Sequence, residues 1–175
     1  AEFRKSYIAQ FSNKEHSPLK ENELEFIQFF EGREEMKILC EFERTDEEKP
    51  FKIPTYNGKT HDYIKFGNLH FELNGQKFQL SVYQILWLQR IPGNQNHLFV
   101  PFKDFTNGET TYGGGRYIDL SMLDLKDNKI VLDFNKCYNP YCAYSDGFSC
   151  PIPPPENHLP IEINAGERAF IKQKD

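Results

Sequence analysis

Along AEFRKSYIAQFS, Phe3, Tyr7, Ile8 and Phe11 recur at helical spacing among polar neighbours. The pattern predicts an amphipathic helix over 1–12 whose apolar stripe docks on the body of the protein. Ser17-Pro18 reads as a second helix start, Ser at the N-cap and Pro at the first position, and predicts a short helix over Pro18–Phe26. From Met36 the period changes to two. In KILCEFE, Ile38, Cys40 and Phe42 alternate with charged or less buried neighbours, as in a strand with one covered face. The acidic run 46–50 is a solvated connection. FKIPTY is a short extended piece that Pro54 restricts to a sheet edge, and Asn57-Gly58 turns the chain into HDYIKF.

The sharpest local signal is LHFEL-NG-QKFQLSV. Leu69, Phe71 and Leu73 alternate, Asn74-Gly75 follows, and Phe78, Leu80 and Val82 alternate in turn. Both turn residues tolerate positive φ, so this is a β-hairpin signature. Residues 85–97 are irregular. HLFVPF, RYIDL and KIVLDF are further strands, and LPIEIN is expected to add a last short one. About eight short strands with regular turn signals predict a mainly β (β-rich α+β) protein. The expected architecture is a single antiparallel β-barrel or sandwich over 1–175. It carries one or two helices in an N-terminal segment, 1–30, and a proline-rich C-terminal strap. No repeat and no domain-sized linker interrupts the pattern.

Composition agrees with sheet. Phe (16) and Tyr (9) dominate an aromatic fraction of 15%, and such side chains fit pleated, half-buried surfaces. The net charge of −5 and the absence of any basic run exclude the electrostatic footprint of a nucleic-acid binder. No run is long and apolar enough for a transmembrane helix. The chain starts at Ala1 rather than Met, as a processed product does. An extracytoplasmic location, periplasmic or lipid-anchored, is expected over a cytoplasmic one.

Three blocks carry a resemblance. HLFVPFKDFTNGETTYGGGRYIDL, VLDFNKCYNPYCAY and CPIPPPENHLPIEINAGE, in that order and spacing, closely resemble the bacterial domain-of-unknown-function family numbered sixteen eighty-four. The SPL at Ser17–Leu19 resembles its N-terminal part. The resemblance implies no established activity. Cys142 and Cys150 stand where the family motif has cysteines, whereas Cys137 stands where the family usually has a small residue, which speaks against Cys137 as an essential ligand or nucleophile.

The cysteines and His158 are separated by four, seven and seven residues from Cys137 onwards. The second hook of a structural zinc site is missing, so no metal site is expected. Cys142 and Cys150 are expected either to form a disulfide, which needs an oxidising compartment, or to pack as buried free thiols. The sequence Thr111–Tyr117, TYGGGRY, has two readings: a glycine-rich bend, or an anion site of backbone N–H groups with Arg116 as charged partner. The phosphate-loop, Gly-x-Ser-x-Gly and His-Glu-x-x-His signatures are absent. The five histidines are spread out and read as surface or lightly packed residues.

Polar residues concentrate around the bend. Asp104, Tyr112, Arg116, Asp133, Asn135, Asn139 and Tyr144 are the expected ligand-binding set, in a pocket near Gly113–Gly115. Asp133 is either an acid or base in a cleft or a structural residue, and the reading taken is a tie to Arg116. Pro153-Pro154-Pro155 favours polyproline II and reads as a stiff strap that roofs the bend. Two functions follow. One is a module binding a small polar or anionic ligand under the strap, a flavin with its phosphate at Arg116 being one version. The other is a non-enzymatic envelope or interaction protein whose polar clusters are structural ties. The motifs identify no cofactor and no reaction.

Overall fold

The fold is described by a computed structural model, over residues 2–12, 17–46 and 48–171. Its organising element is the predicted hairpin. Asn74 and Gly75 take φ of 52° and 76°, as a tight hairpin turn requires, and join β3 (Thr60–Leu73) to β4 (Gln76–Ile85). Leu69 pairs with Leu80 and Phe71 with Phe78, so the alternating apolar sets share one face. Near Lys65 and Gly67 the register shifts, and this bulge bends the long strand.

The sheet grows outwards from the hairpin. On one side β1 (Lys37–Arg44) pairs with β3, and β7 (Lys129–Asp133) pairs with β1. On the other side lie β5 (His97–Phe102) and β6 (Arg116–Ser121). The order is β6-β5-β4-β3-β1-β7, with β2 (Phe51–Pro54) pairing β3 off this path. All pairings are antiparallel, and the seven strands form a curled half-barrel. Pro54 sits on the edge strand β2, where its missing N–H costs no ladder bond.

One face of the sheet carries the main core, with Cys40, Leu69, Leu80, Val100, Ile118 and Leu132 buried. The opposite face of β3–β6 carries a second apolar layer of Ile53, Tyr63, Tyr83, Phe99 and Tyr117. A third cluster docks the N-terminal helix α1 (Glu2–Ser12): Tyr7 and Phe11 pack with Leu19, Ile27 and Tyr144. Among the described residues no helix is long and apolar enough to cross a membrane.

Three local expectations are corrected. The short second helix expected over Pro18–Phe26 is a 3-10 segment confined to Glu21–Phe26. Ser17 instead turns on itself, its hydroxyl accepting from the Leu19 N–H at 3.2 Å. LPIEIN is not a strand. It bonds only briefly alongside residues 103–105, the Leu159 N–H donating to the Lys103 carbonyl at 2.8 Å and the Phe105 N–H to the Ile161 carbonyl at 3.0 Å; beyond that, the Ile163 carbonyl accepts from Arg116 and the Ile163 N–H donates to Asp104.

The proline segment does cross the body as a strap. Pro154 is in the polyproline II region (φ −59°, ψ 152°). The Ile152 N–H donates to the Pro54 carbonyl at 2.9 Å, and the Tyr117 hydroxyl to the Pro151 carbonyl at 2.6 Å. The Tyr83 hydroxyl donates to Glu156 at 2.7 Å. Gly115 lies directly beneath it with φ +91°; a Cβ there would come within 2.8 Å of the Pro153 ring and 2.6 Å of the Phe102 carbonyl. Contact this close leaves no room for a pocket between strap and bend.

Candidate functional site

The residues expected to bind a ligand separate into structural ties and cleft walls. Arg116 and Asp104 form a buried pair at 2.9 Å, and neither side chain has exposed surface. Arg116 also donates to the carbonyls of Ile163 (2.8 Å), Ala165 and Glu167 (3.2 Å). Asp104 accepts from Thr106 and Ile163 N–H groups at 2.9 and 3.2 Å. The guanidinium points into the protein, so the anion-site reading of TYGGGRY, and a flavin phosphate there, are overturned. So is the tie between Asp133 and Arg116: the buried guanidinium makes its ion pair with Asp104, and Asp133 is engaged with Asn135.

Asp133 instead caps a short turn, accepting from the Asn135 N–H at 3.1 Å, with Lys136 4.0 Å away. Asn135 clamps the chain before β1, bonding the Arg33 N–H and carbonyl at 2.9 and 2.8 Å. The Tyr112 ring lies against Gly114, whose carbonyl accepts from Tyr56 at 2.8 Å.

Asn139 and Tyr144 belong to a buried network that the sequence did not single out. Its centre is Glu167, fully buried, which accepts from the Tyr144 hydroxyl at 2.5 Å and the Asn139 N–H at 2.8 Å. The Tyr7 and Tyr144 hydroxyls are 2.7 Å apart, so the network ties α1 to the C-terminal segment. Burial raises the Glu167 carboxyl to about 7, against the pull of these hydrogen bonds.

Cys142 and Cys150 are joined as a disulfide. Cys40 and Cys137 are buried free thiols, and burial pushes Cys137 up to about 11, which keeps it from thiolate chemistry. Among the described residues no group of three or more His, Cys, Asp or Glu is placed to hold a metal. His16 lies outside them. His158 holds the strap through the Pro153 carbonyl at 3.0 Å.

An apolar-lined cleft lies on the second face of the sheet. It measures about 460 Å³ and is walled by β3–β6, by Phe3, Tyr7 and Gln10 of α1, and by the disulfide-closed segment Tyr141–Pro151. Its floor follows from strand alternation. His61 and Tyr63, His97 and Phe99, and Tyr117 and Asp119 are i, i+2 pairs on three strands, and side chains two apart share a face. Phe99 and Asp119 are register partners. His97 Nε2 and Asp119 Oδ1 are 2.9 Å apart, and the Tyr138 hydroxyl donates to Asp119 Oδ2 at 2.9 Å. Burial, and then the Asp119 charge, push the Tyr138 hydroxyl well above its ordinary value, so it stays a donor. Trp87, the chain's single tryptophan, stands half-exposed at the cleft.

Of the expected binding set only Asn139 lines this cleft. The available signal was the pair of i, i+2 positions His97/Phe99 in HLFVPF and Tyr117/Asp119 in RYIDL. HLFVPF is apolar on both faces, which marks a strand covered on both sides.

A curled antiparallel half-barrel, closed by a proline strap and bearing an aromatic cleft beneath its N-terminal helix, is the class of protein this geometry defines. The chain belongs to the family described as Protein of unknown function (DUF1684), whose model matches residues 22–168. It is similar to an uncharacterized protein of Haloarcula marismortui with a solution NMR structure, at 32% identity and a TM-score of 0.75, over 97% of this chain and 92% of that one. That relative is archaeal, so the likeness does not support the expected restriction to bacteria. No curated protein matches the chain.

Proposed function

We propose that this protein captures a small, largely apolar organic molecule in the cleft over β3–β6. The observation that carries this reading is the cleft itself: about 460 Å³, rich in aromatic side chains, with a few polar groups converging at Asp119. Small-molecule sites have this build, apolar walls with a small number of placed polar groups, and volumes of about 300–1,000 Å³. Distant parts of the chain contribute, because α1, β3–β6 and the segment around the disulfide each supply a wall. A disulfide at the rim fits an oxidising, extracytoplasmic setting.

The single tryptophan makes the test direct. Titration with benzyl alcohol, an uncharged aromatic probe, should shift the Trp87 indole resonance saturably. Gln10→Phe narrows the mouth from an exposed position on α1 and should weaken that binding. If uncharged, cationic and anionic aromatic probes all leave Trp87 unmoved, the cleft is not a ligand site.

A further inference from the structure

The charge and aromatic content of the cleft identify a ligand class, given that the cleft is a small-molecule site. Nine of its twenty lining residues are Phe, Tyr or Trp, and none is Lys or Arg. Asp119 is the only carboxylate among them. An aromatic face carries partial negative charge at its centre, so rings around a cavity attract a cation and repel an anion. The carboxylate adds a full charge of the same sign.

We propose that the cleft selects organic cations, an ammonium group carried on a small apolar body. The rings are held in place. Phe99 and Tyr117 meet edge to face with centroids 4.8 Å apart, and Tyr117 and Tyr138 do so at 6.0 Å. Tyr63 lies stacked against Phe99 at 6.1 Å. The Asp119 carboxylate is oriented by Tyr138 on one oxygen and His97 on the other, and roughly half of its side chain remains open to solvent. With the His97 ring neutral, the carboxylate keeps its charge for the ligand. The cation would replace water over rings that lose little on desolvation, which is where such contacts are strongest. An anionic ligand meets the Asp119 charge and no lysine or arginine here, the opposite of what an exposed Arg116 would have offered.

The test uses three probes on the folded chain in mildly alkaline buffer: benzyltrimethylammonium, benzyl alcohol and phenylmethanesulfonate. Binding is followed by the Trp87 indole resonance and the backbone amides of the cleft wall. The cation should bind about tenfold more tightly than the alcohol, the size of one or two well-placed cation–π and charge contacts. The sulfonate should bind more weakly than the alcohol. Asp119→Asn should reduce the preference for the cation over benzyl alcohol. Added salt, which needs no variant, should weaken the cation and spare the alcohol. Equal binding of cation and alcohol, or tightest binding of the sulfonate, overturns the inference while leaving the cleft a ligand site. Silence from all three probes removes both.

Discussion

Arg116 Nη2 donates to Asp104 Oδ2 at 2.9 Å, in a place where neither side chain touches solvent. The pair sits where β6 begins, and the carbonyls of Ile163, Ala165 and Glu167 wrap the same guanidinium. Arg116 thereby fastens the C-terminal segment to the sheet. Breaking a buried pair by removing one partner strands the other charge, at a cost of about 3–5 kcal/mol. Arg116→Ala and Asp104→Ala should each lower stability by that order in urea unfolding. Asp104→Leu combined with Arg116→Met should recover part of the loss, because a matched apolar pair leaves no stranded charge. A single-variant loss no larger than that of an ordinary surface change would contradict this role.

The contrast between Arg116 and the Asn74-Gly75 turn shows what a sequence displays. The hairpin was legible because its determinants are local: two turn residues that accept positive φ, and alternation on either side. So were α1, β1 and the strap. Arg116 was singled out for an anion site and not for the tie it makes, since the carbonyls it holds lie 47 to 51 residues further on. Asp133 was assigned to it because strand alternation gives a residue's side but not its neighbour. The cleft assembles pairs from strands scattered over His61–Asp119 with a helix from the N-terminus. Each pair alone is an ordinary half-buried strand motif. LPIEIN alternated well enough for a strand, yet beyond Ile161 its backbone turns to Asp104 and Arg116 through Ile163.

Asn157 holds the strap down. Its Oδ1 accepts from the Ser81 N–H at 2.7 Å, and its Nδ2 donates to the Ser81 and Pro101 carbonyls at 2.9 and 2.8 Å. One fully buried amide therefore serves β4 and β5 together. Asn157→Ala leaves the Ser81 N–H without a partner, which costs about 1–3 kcal/mol for that group alone. Thermal unfolding of the variant should show the drop. A change within about 0.5 kcal/mol, as for a plain surface site, would mean that the strap is held elsewhere.

The Cys142–Cys150 bridge closes a loop with a sequence separation of 8 residues, and Cys150 lines the cleft. Intact mass measured without reductant should be lower by two hydrogens than after reduction. Cys142→Ser with Cys150→Ser should lower stability by about 2–3 kcal/mol on the chain-entropy account of a loop this short. The same variant should weaken probe binding, because Tyr141 and Phe148 are wall residues placed by this loop. Full binding in the doubly substituted protein would show that the wall stands without the bridge.

Glu167 gives the protein a pH dependence whose sign is fixed by burial. Its carboxyl rises from an ordinary 4.5 to about 7, chiefly because burial penalises the charged form; the bonds from Tyr144 and Asn139 work the other way. A raised acid binds its proton more tightly in the folded state than in the unfolded one. Its contribution is therefore complete below the unfolded value near 4.5, and is lost as pH rises through about 7. At 1.36 kcal/mol per unit, the contribution at stake is about 3 kcal/mol. Other groups titrate in the same window, so the diagnostic quantity is the difference between wild type and Glu167→Gln. The amide cannot ionise, and the wild type should lose stability relative to it between pH 4.5 and 7. Urea unfolding across that range measures the difference directly. If the two curves run parallel, Glu167 keeps an ordinary acidity and the Tyr7–Tyr144–Glu167 network does not sense pH.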